Sequence, residues 1–399
     1  MSRSSPLNAV LGSSAFWRYS ATASLMRAPV LMAAVALTTT SILMTGTLAA
    51  GAVLAAWYVG GTVVATPVMV HVVGLLPLRR VLRWQMFAHA VLWVGIAACW
   101  LTGSAPWISA MLAAGAGAII AGNGGAVRAL MSGTVPAEAA RSASTVDVTF
   151  LDILIFLAPL AAALASLIHP VAPVATVAVV GFAAAAAVSL TSRRIVAHGD
   201  QGREHPHRRG GRLRWDAQGV SWILFSAVIG LYFGAMEVGA PGLVVTYGFE
   251  VSLAWMIFLV LSATSVFGGW VDASRPQSTS EDRWALVGAA SMSAGCLLLA
   301  FTPPLAWAVI GLLLTGLPVA TLLGLRSHRI DVHVSPPQRA GYLSWAFAAQ
   351  NAGFACASLL LAHVSQPTMF VCTGVLVPLA LLLALRTRHP RARVVTSAR

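Results

Sequence analysis

Residues 192–216, SRRIVAHGDQGREHPHRRGGRLRWD, form the one long polar connection in a chain otherwise built of apolar runs. The segment holds seven Arg and no apolar run. A membrane-spanning helix needs about 20 mostly apolar residues. Six runs of that kind precede the segment, at about 28–46, 48–71, 84–102, 106–128, 143–167 and 170–191. Six follow it, at about 218–240, 250–271, 284–302, 304–325, 339–361 and 367–386. Composition agrees, since 58% of the 399 residues are hydrophobic and only 9% are charged, against about 25% charged in a soluble domain. The sequence therefore predicts an all-α integral membrane protein with twelve transmembrane helices in two six-helix bundles. Its expected parts are a cytoplasmic lead-in at 1–27, bundles at 28–191 and 217–386, the basic linker at 192–216 and a basic tail at 387–399.

All 25 basic residues are Arg. A sequence pI near 11.2 usually points to nucleic acid, but here the Arg lie in short loops between apolar runs, so no nucleic-acid partner is expected. Arg79, Arg80, Arg83, Arg141, Arg193, Arg194, Arg275, Arg283 and Arg329 lie in connections after even-numbered spans. The connections TGSAP (102–106), IHPVAP (168–173), FTPPLA (301–306) and AHVSQP (362–367) follow odd-numbered spans and carry none. The positive-inside rule then places both termini in the cytoplasm. The absence of Lys, with abundant Ala and Gly, suggests a GC-rich bacterial genome and hence a bacterial cell membrane. HGDQGREHPH within the linker reads as a solvated stretch rather than a metal site, and Cys99, Cys296, Cys356 and Cys372 lack metal-site spacing. Neither a metal nor another cofactor is expected.

The two halves repeat. A shift of 198 residues brings Arg128 onto Arg326, Arg141 onto Arg339 and Asp152 onto Gln350, as a parallel repeat of two bundles requires. With this plan the chain resembles the major facilitator superfamily of secondary transporters over essentially its whole length. RALMSGTVPAEAARSASTVD (128–147) is similar to the helix 4–5 connection of a bacterial permease subgroup, and GAMEVGAP (234–241) to its helix 7. The loop after helix 2, GLLPLRRVLR (74–83), matches the family's Gly-x-x-x-Asp-Arg at Gly74 and Arg79, with Leu78 where the family has Asp. The second copy keeps Gly268 and Asp272. The resemblance implies conformational-switch loops at these positions and a substrate path between the halves.

Intramembrane ionisable residues are functional candidates by default. Asp147 and Arg128 lie at similar distances from the centre of the 4–5 connection. That placement predicts an ion pair across the hairpin, either structural or a gate that opens during transport. Asp152 is five residues further on, about 7.5 Å deeper and turned by about 140°. It has no basic residue at matching depth, and reads as a proton-coupling carboxylate or a protonated one hydrogen-bonded to a neighbour such as Asn123. Glu237, towards the outer end of helix 7, reads as a cavity acid or a rim residue. Thr39, Asn123, Tyr232, Trp345, Gln350 and Asn351 are the candidate substrate-cavity side chains. His71 and His89 read as interfacial, near the cytoplasmic ends of helices 2 and 3.

The inferred cavity is short of Arg and holds acids, aromatics and amides. That favours a hydrophobic, neutral or cationic substrate over an organic anion. The expectation is a monomeric transporter in lipid, coupled to protons and exporting a small organic molecule by alternating access. Sugar-like uptake and a non-transporting scaffold or sensor are the alternatives. An intramembrane enzyme would need catalytic groups clustered at one depth, and the sequence has none, so no enzymatic activity is expected.

Overall fold

The computed structural model describes residues 10–75, 77–131, 134, 140–190, 217–274, 280–301, 304–333 and 336–387. The linker and basic-tail expectations fall on residues 192–216 and 388–399, outside the described residues. The N-terminal half comprises α1 (Ser14–Thr45), α2 (Ala49–Leu75), α3 (Leu78–Thr102), α4 (Pro106–Ile120), α5 (Asn123–Met131), α6 (Ala140–Ala165) and α7 (Ala172–Leu190). The C-terminal half comprises α8 (Ala217–Thr246), a 3-10 turn (Val251–Ala254), α9 (Trp255–Ser274), α10 (Glu281–Ala300), α11 (Leu305–Gly316), α12 (Val319–His333), α13 (Pro336–His363) and α14 (Gln366–Arg386). No strand occurs among the described residues. Ten helical stretches are long and apolar enough to cross a membrane, and the shorter apolar helices Pro106–Ile120 and Ile153–Ala165 occupy the two remaining spans, 4 and 5. Helices are the expected outcome, because hydrocarbon offers no partner for an open peptide group.

The first span differs from its expected bounds. α1 begins at Ser14, so half of the stretch expected as a lead-in is helix. Ser13 caps it, accepting from the Phe16 amide at 3.1 Å and donating to the Thr134 carbonyl at 2.7 Å. At 1.5 Å per residue α1 is about 48 Å long, well beyond the ~30 Å hydrocarbon core. Arg27 thus sits inside the helix. It donates from both terminal nitrogens to Asp147 of α6, at 2.8 and 2.9 Å. The Tyr19 hydroxyl adds a third bond to the same carboxylate at 3.1 Å. The ion pair described for Asp147 therefore joins α1 to α6; the expected hairpin pair with Arg128 falls on a side chain outside the described residues.

Spans 4 and 10 are each broken in two, as a repeat demands. Between α4 and α5 the chain turns through Ala121 and Gly122, whose φ of 75° only glycine adopts freely. Gln85 of α3 donates its amide to the Ile119 carbonyl at 2.9 Å, covering the break. Between α11 and α12 stands Pro318, which lacks the N–H that Leu314 four residues earlier would accept from. Ser291 of α10 supplies the missing donor at 2.9 Å. The same helix serves Pro378, because Ser293 donates to Gly374 at 2.5 Å.

Close backbone approach holds the helices together. A Cβ on Gly61 would strike the Ala114 carbonyl and one on Gly117 the Tyr58 carbonyl, so α2 and α4 meet through reciprocal glycines. In the second half Gly268 faces Leu317 and Gly316 faces Leu261, which joins α9 and α11 in the same way. Gly230, Gly234 and Gly353 let α8 and α13 touch. The halves meet where α2 packs on α13, α6 on α9 and α1 on α8.

Two predictions follow from this packing. Gly353→Ala forces a methyl onto the Ala227 carbonyl and should destabilise the fold by about 1–3 kcal/mol. Gly60→Ala, with no atom within 4 Å of the new methyl, should be neutral or stabilise by up to about 1 kcal/mol. Thermal unfolding of the two purified variants compares them. Asp147→Asn strands a buried guanidinium and should cost about 3–5 kcal/mol. Adding Arg27→Gln should restore much of the folded yield, and adding Arg128→Gln should not.

Candidate functional site

A cavity of about 360 Å³ lies where the halves meet. Ile155 of α6 supplies one wall. Tyr232, Phe233, Met236 and Glu237 of α8 supply the second, and Phe258, Leu261, Ser262 and Ser265 of α9 the third. Val319, Ala320, Leu323 and Gly324 of α12 complete it, immediately past the Pro318 break. Beside Ile155, Phe156 packs on Trp255 with ring centroids 6.1 Å apart, joining the halves along this flank.

The lining is largely apolar, and its few polar groups are mostly unspent. The Glu237 carboxylate makes no hydrogen bond or ion pair among the described residues. The buried Ser262 hydroxyl has no partner either. Tyr232, fully buried at mid-helix, donates to the Thr315 carbonyl at 3.3 Å. Two backbone groups join them. Pro159 and Pro241 sit inside α6 and α8. Each removes the helical donor for the carbonyl four residues earlier, and those carbonyls belong to Ile155 and Glu237. No described side chain donates to either, unlike Leu314 and Gly374.

One buried cation adjoins the cavity. Arg326 of α12 is 3% exposed, donates from Nη1 to Gln350 Oε1 at 2.6 Å and lies 5.2 Å from the Phe347 ring centre. Among the described residues no carboxylate reaches it, and its Nε has no acceptor. The cavity lining itself holds no Arg, as expected, and Arg326 lies beyond it on α12. Arg329, one turn further along, instead bonds Asp282 at 2.7 Å and Glu281 at 3.4 Å.

Of the residues expected to build the site, the cavity brings together Tyr232 and Glu237. Gln350 is engaged by Arg326, while Asn351 lies partly buried on the same helix. Trp345 is half-exposed on α13. Thr39 and Asn123 are buried in the N-terminal half, with Thr39 Oγ1 and Asn123 Oδ1 unpaired. Asp152 lies on α6, but its side chain falls outside the described residues. Gly74 closes the end of α2, and Gly268 is the α9–α11 contact point. Leu78 is fully buried, and the adjacent Arg79 donates to the Val188 and Ser189 carbonyls at the end of α7. Asp272 stands near the end of α9.

His89 corrects a further expectation. α3 starts at Leu78, which puts His89 at its middle, fully buried rather than interfacial. Trp93 donates to its Nε2 at 2.9 Å, and the Tyr58 hydroxyl lies 3.2 Å from the same nitrogen. An indole can only donate, so Nε2 is an acceptor and Tyr58 donates to it as well. In the neutral ring the proton then sits on Nδ1.

No family model matches the sequence, and no curated protein sequence matches it. Solved structures do. The chain is similar to the nucleoside transporter NupG, with 10% identity and a TM-score of 0.73 over 95% of this chain and all of that one. A bacterial homologue of the human lysosomal transporter Spinster, solved in an inward-facing and occupied conformation, matches with 13% identity and a TM-score of 0.71 over 98% of this chain and 100% of the other. A D-xylose–proton symporter matches with 15% identity and a TM-score of 0.68 over 92% and 97% of the two chains. With two six-helix halves related by a repeat and a cavity at their junction, the chain has the fold of the major facilitator superfamily.

Proposed function

We propose that this protein is a secondary active transporter that moves a small organic molecule across the membrane by alternating access, in exchange for protons. The observation that carries the reading is the cavity between the halves, with one unpartnered carboxylate in a largely apolar wall. Only four of its thirteen lining residues have polar side chains. A sugar presents hydroxyls in every direction and needs more partners than that. An apolar compound with a neutral or cationic group facing Glu237 fits better, and export suits such a compound. Proton coupling is supported by the position of Glu237 and by one fold neighbour being a D-xylose–proton symporter. Asp152, on the helix that carries Ile155, is the second proposed coupling acid.

Reconstitution in liposomes with an imposed pH gradient tests this, using radiolabelled phenylalkyl amines and amides. Glu237→Gln should lower gradient-driven movement at least tenfold while one-for-one exchange without a gradient persists. Asp152→Asn should abolish gradient-driven transport at normal expression. Wild-type rates in both variants would remove these acids from coupling. Folded protein that moves no compound would favour a scaffold or sensor.

A further inference from the structure

Among the described residues, Arg27 and Arg326 of the membrane-embedded part are treated differently. Arg27 is neutralised by two bonds to Asp147. Arg326, more deeply buried, has only the neutral Gln350 and the face of Phe347. A buried charge without a counter-ion is costly, by several kcal/mol per ion. A guanidinium offers five N–H donors in a fixed fork, and Gln350 uses only Nη1. The Nε–Nη2 edge is left unengaged, with Nε fully buried. Two parallel donors along one edge match the two oxygens of a carboxylate. Phe347, whose ring faces the guanidinium, is half-exposed.

The edge also lies next to the cavity. Val319, Leu323 and Arg326 recur at i, i+4 and i+7 and share one face of α12. Val319 and Leu323 line the cavity, and Arg326 lies about 4.5 Å beyond Leu323 along the axis. The Gln350 backbone presses on Gly230, two residues before the cavity residue Tyr232.

We propose that Arg326, set by Gln350 and Phe347, is an anion subsite that holds the carboxylate of a substrate whose apolar body fills the cavity. The substrate class is then an apolar zwitterion, with its carboxylate at Arg326 and its cationic group towards Glu237. The inference rests on the transport reading only in calling the ligand a substrate, because binding is measured without transport.

The test compares 4-phenylbutyrate with its uncharged amide, by equilibrium binding to the purified full-length chain. The wild type should bind the acid at least about tenfold more tightly, as a charge-assisted pair implies. Arg326→Gln should erase that preference and Arg326→Lys should keep part of it. Gln350→Glu supplies an internal carboxylate, so it should preserve the fold and still erase the preference. Equal binding of acid and amide by the wild type, no binding of the acid, or a preference that survives Gln350→Glu overturns the subsite. Liposome transport separates the two readings. Movement of the amide with no advantage for the acid leaves transport standing and removes the subsite. Acid binding that Gln350→Glu abolishes, with neither compound moved, does the reverse.

Discussion

Hydrocarbon gives a peptide group nothing to bond to and gives a helix no hydrophobic reason to approach another helix. Both halves of that constraint are met by particular side chains. Where a helix breaks or a proline interrupts it, Gln85, Ser291 and Ser293 cover carbonyls that lost their donors. Where helices must touch, glycine lets one backbone rest on another, at equivalent places in the two halves. The breaks at Gly122 and Pro318 are tolerated only because of this cover, and the second starts the α12 wall of the cavity.

Charge follows the same rule and then departs from it. Arg27, Asp147 and Tyr19 form a closed set that ties α1 to α6 within one half. In the other half Glu237 and Arg326 are left open, on elements that border the cavity. Among the described residues, then, the N-terminal half keeps its buried charges balanced and the C-terminal half presents its own to whatever enters. At the start of α3 Leu78 is buried, and the neighbouring Arg79 turns to the end of α7.

The architecture was legible from the sequence because it is written in long signals. Apolar runs of twenty residues, Arg restricted to alternate connections and one polar segment at mid-chain specify twelve spans in two halves. The partners of individual charges were not legible, because partner choice is tertiary. Asp147 and Arg128 sit at matching depths along the chain, yet Arg27, 120 residues away in sequence, holds the carboxylate. Its helix extends past the expected start because Arg18 and Arg27, which look like interruptions, lie inside it. His89 was misplaced for the same reason, since arginines at 79, 80 and 83 lie inside α3 and not before it. Tyr232 and Glu237 were found because acids and aromatics are conspicuous in an apolar helix. Ile155, Phe258 and Leu323 carry no such mark, and only packing shows which leucines face a cavity.

A hollow lined by phenylalanine, leucine and isoleucine inside a bilayer raises the question of why lipid tails do not fill it. The Ile155 and Glu237 carbonyls, deprived of their helical donors by Pro159 and Pro241, supply a physical barrier. An acyl chain brings no hydrogen to either, and drying an unbonded polar group costs about 1–3 kcal/mol. A guest with even one N–H or O–H meets one of them. The two prolines thus add backbone acceptors to the polar side chains Glu237 and Ser262, and together these favour an amphiphile over a lipid tail.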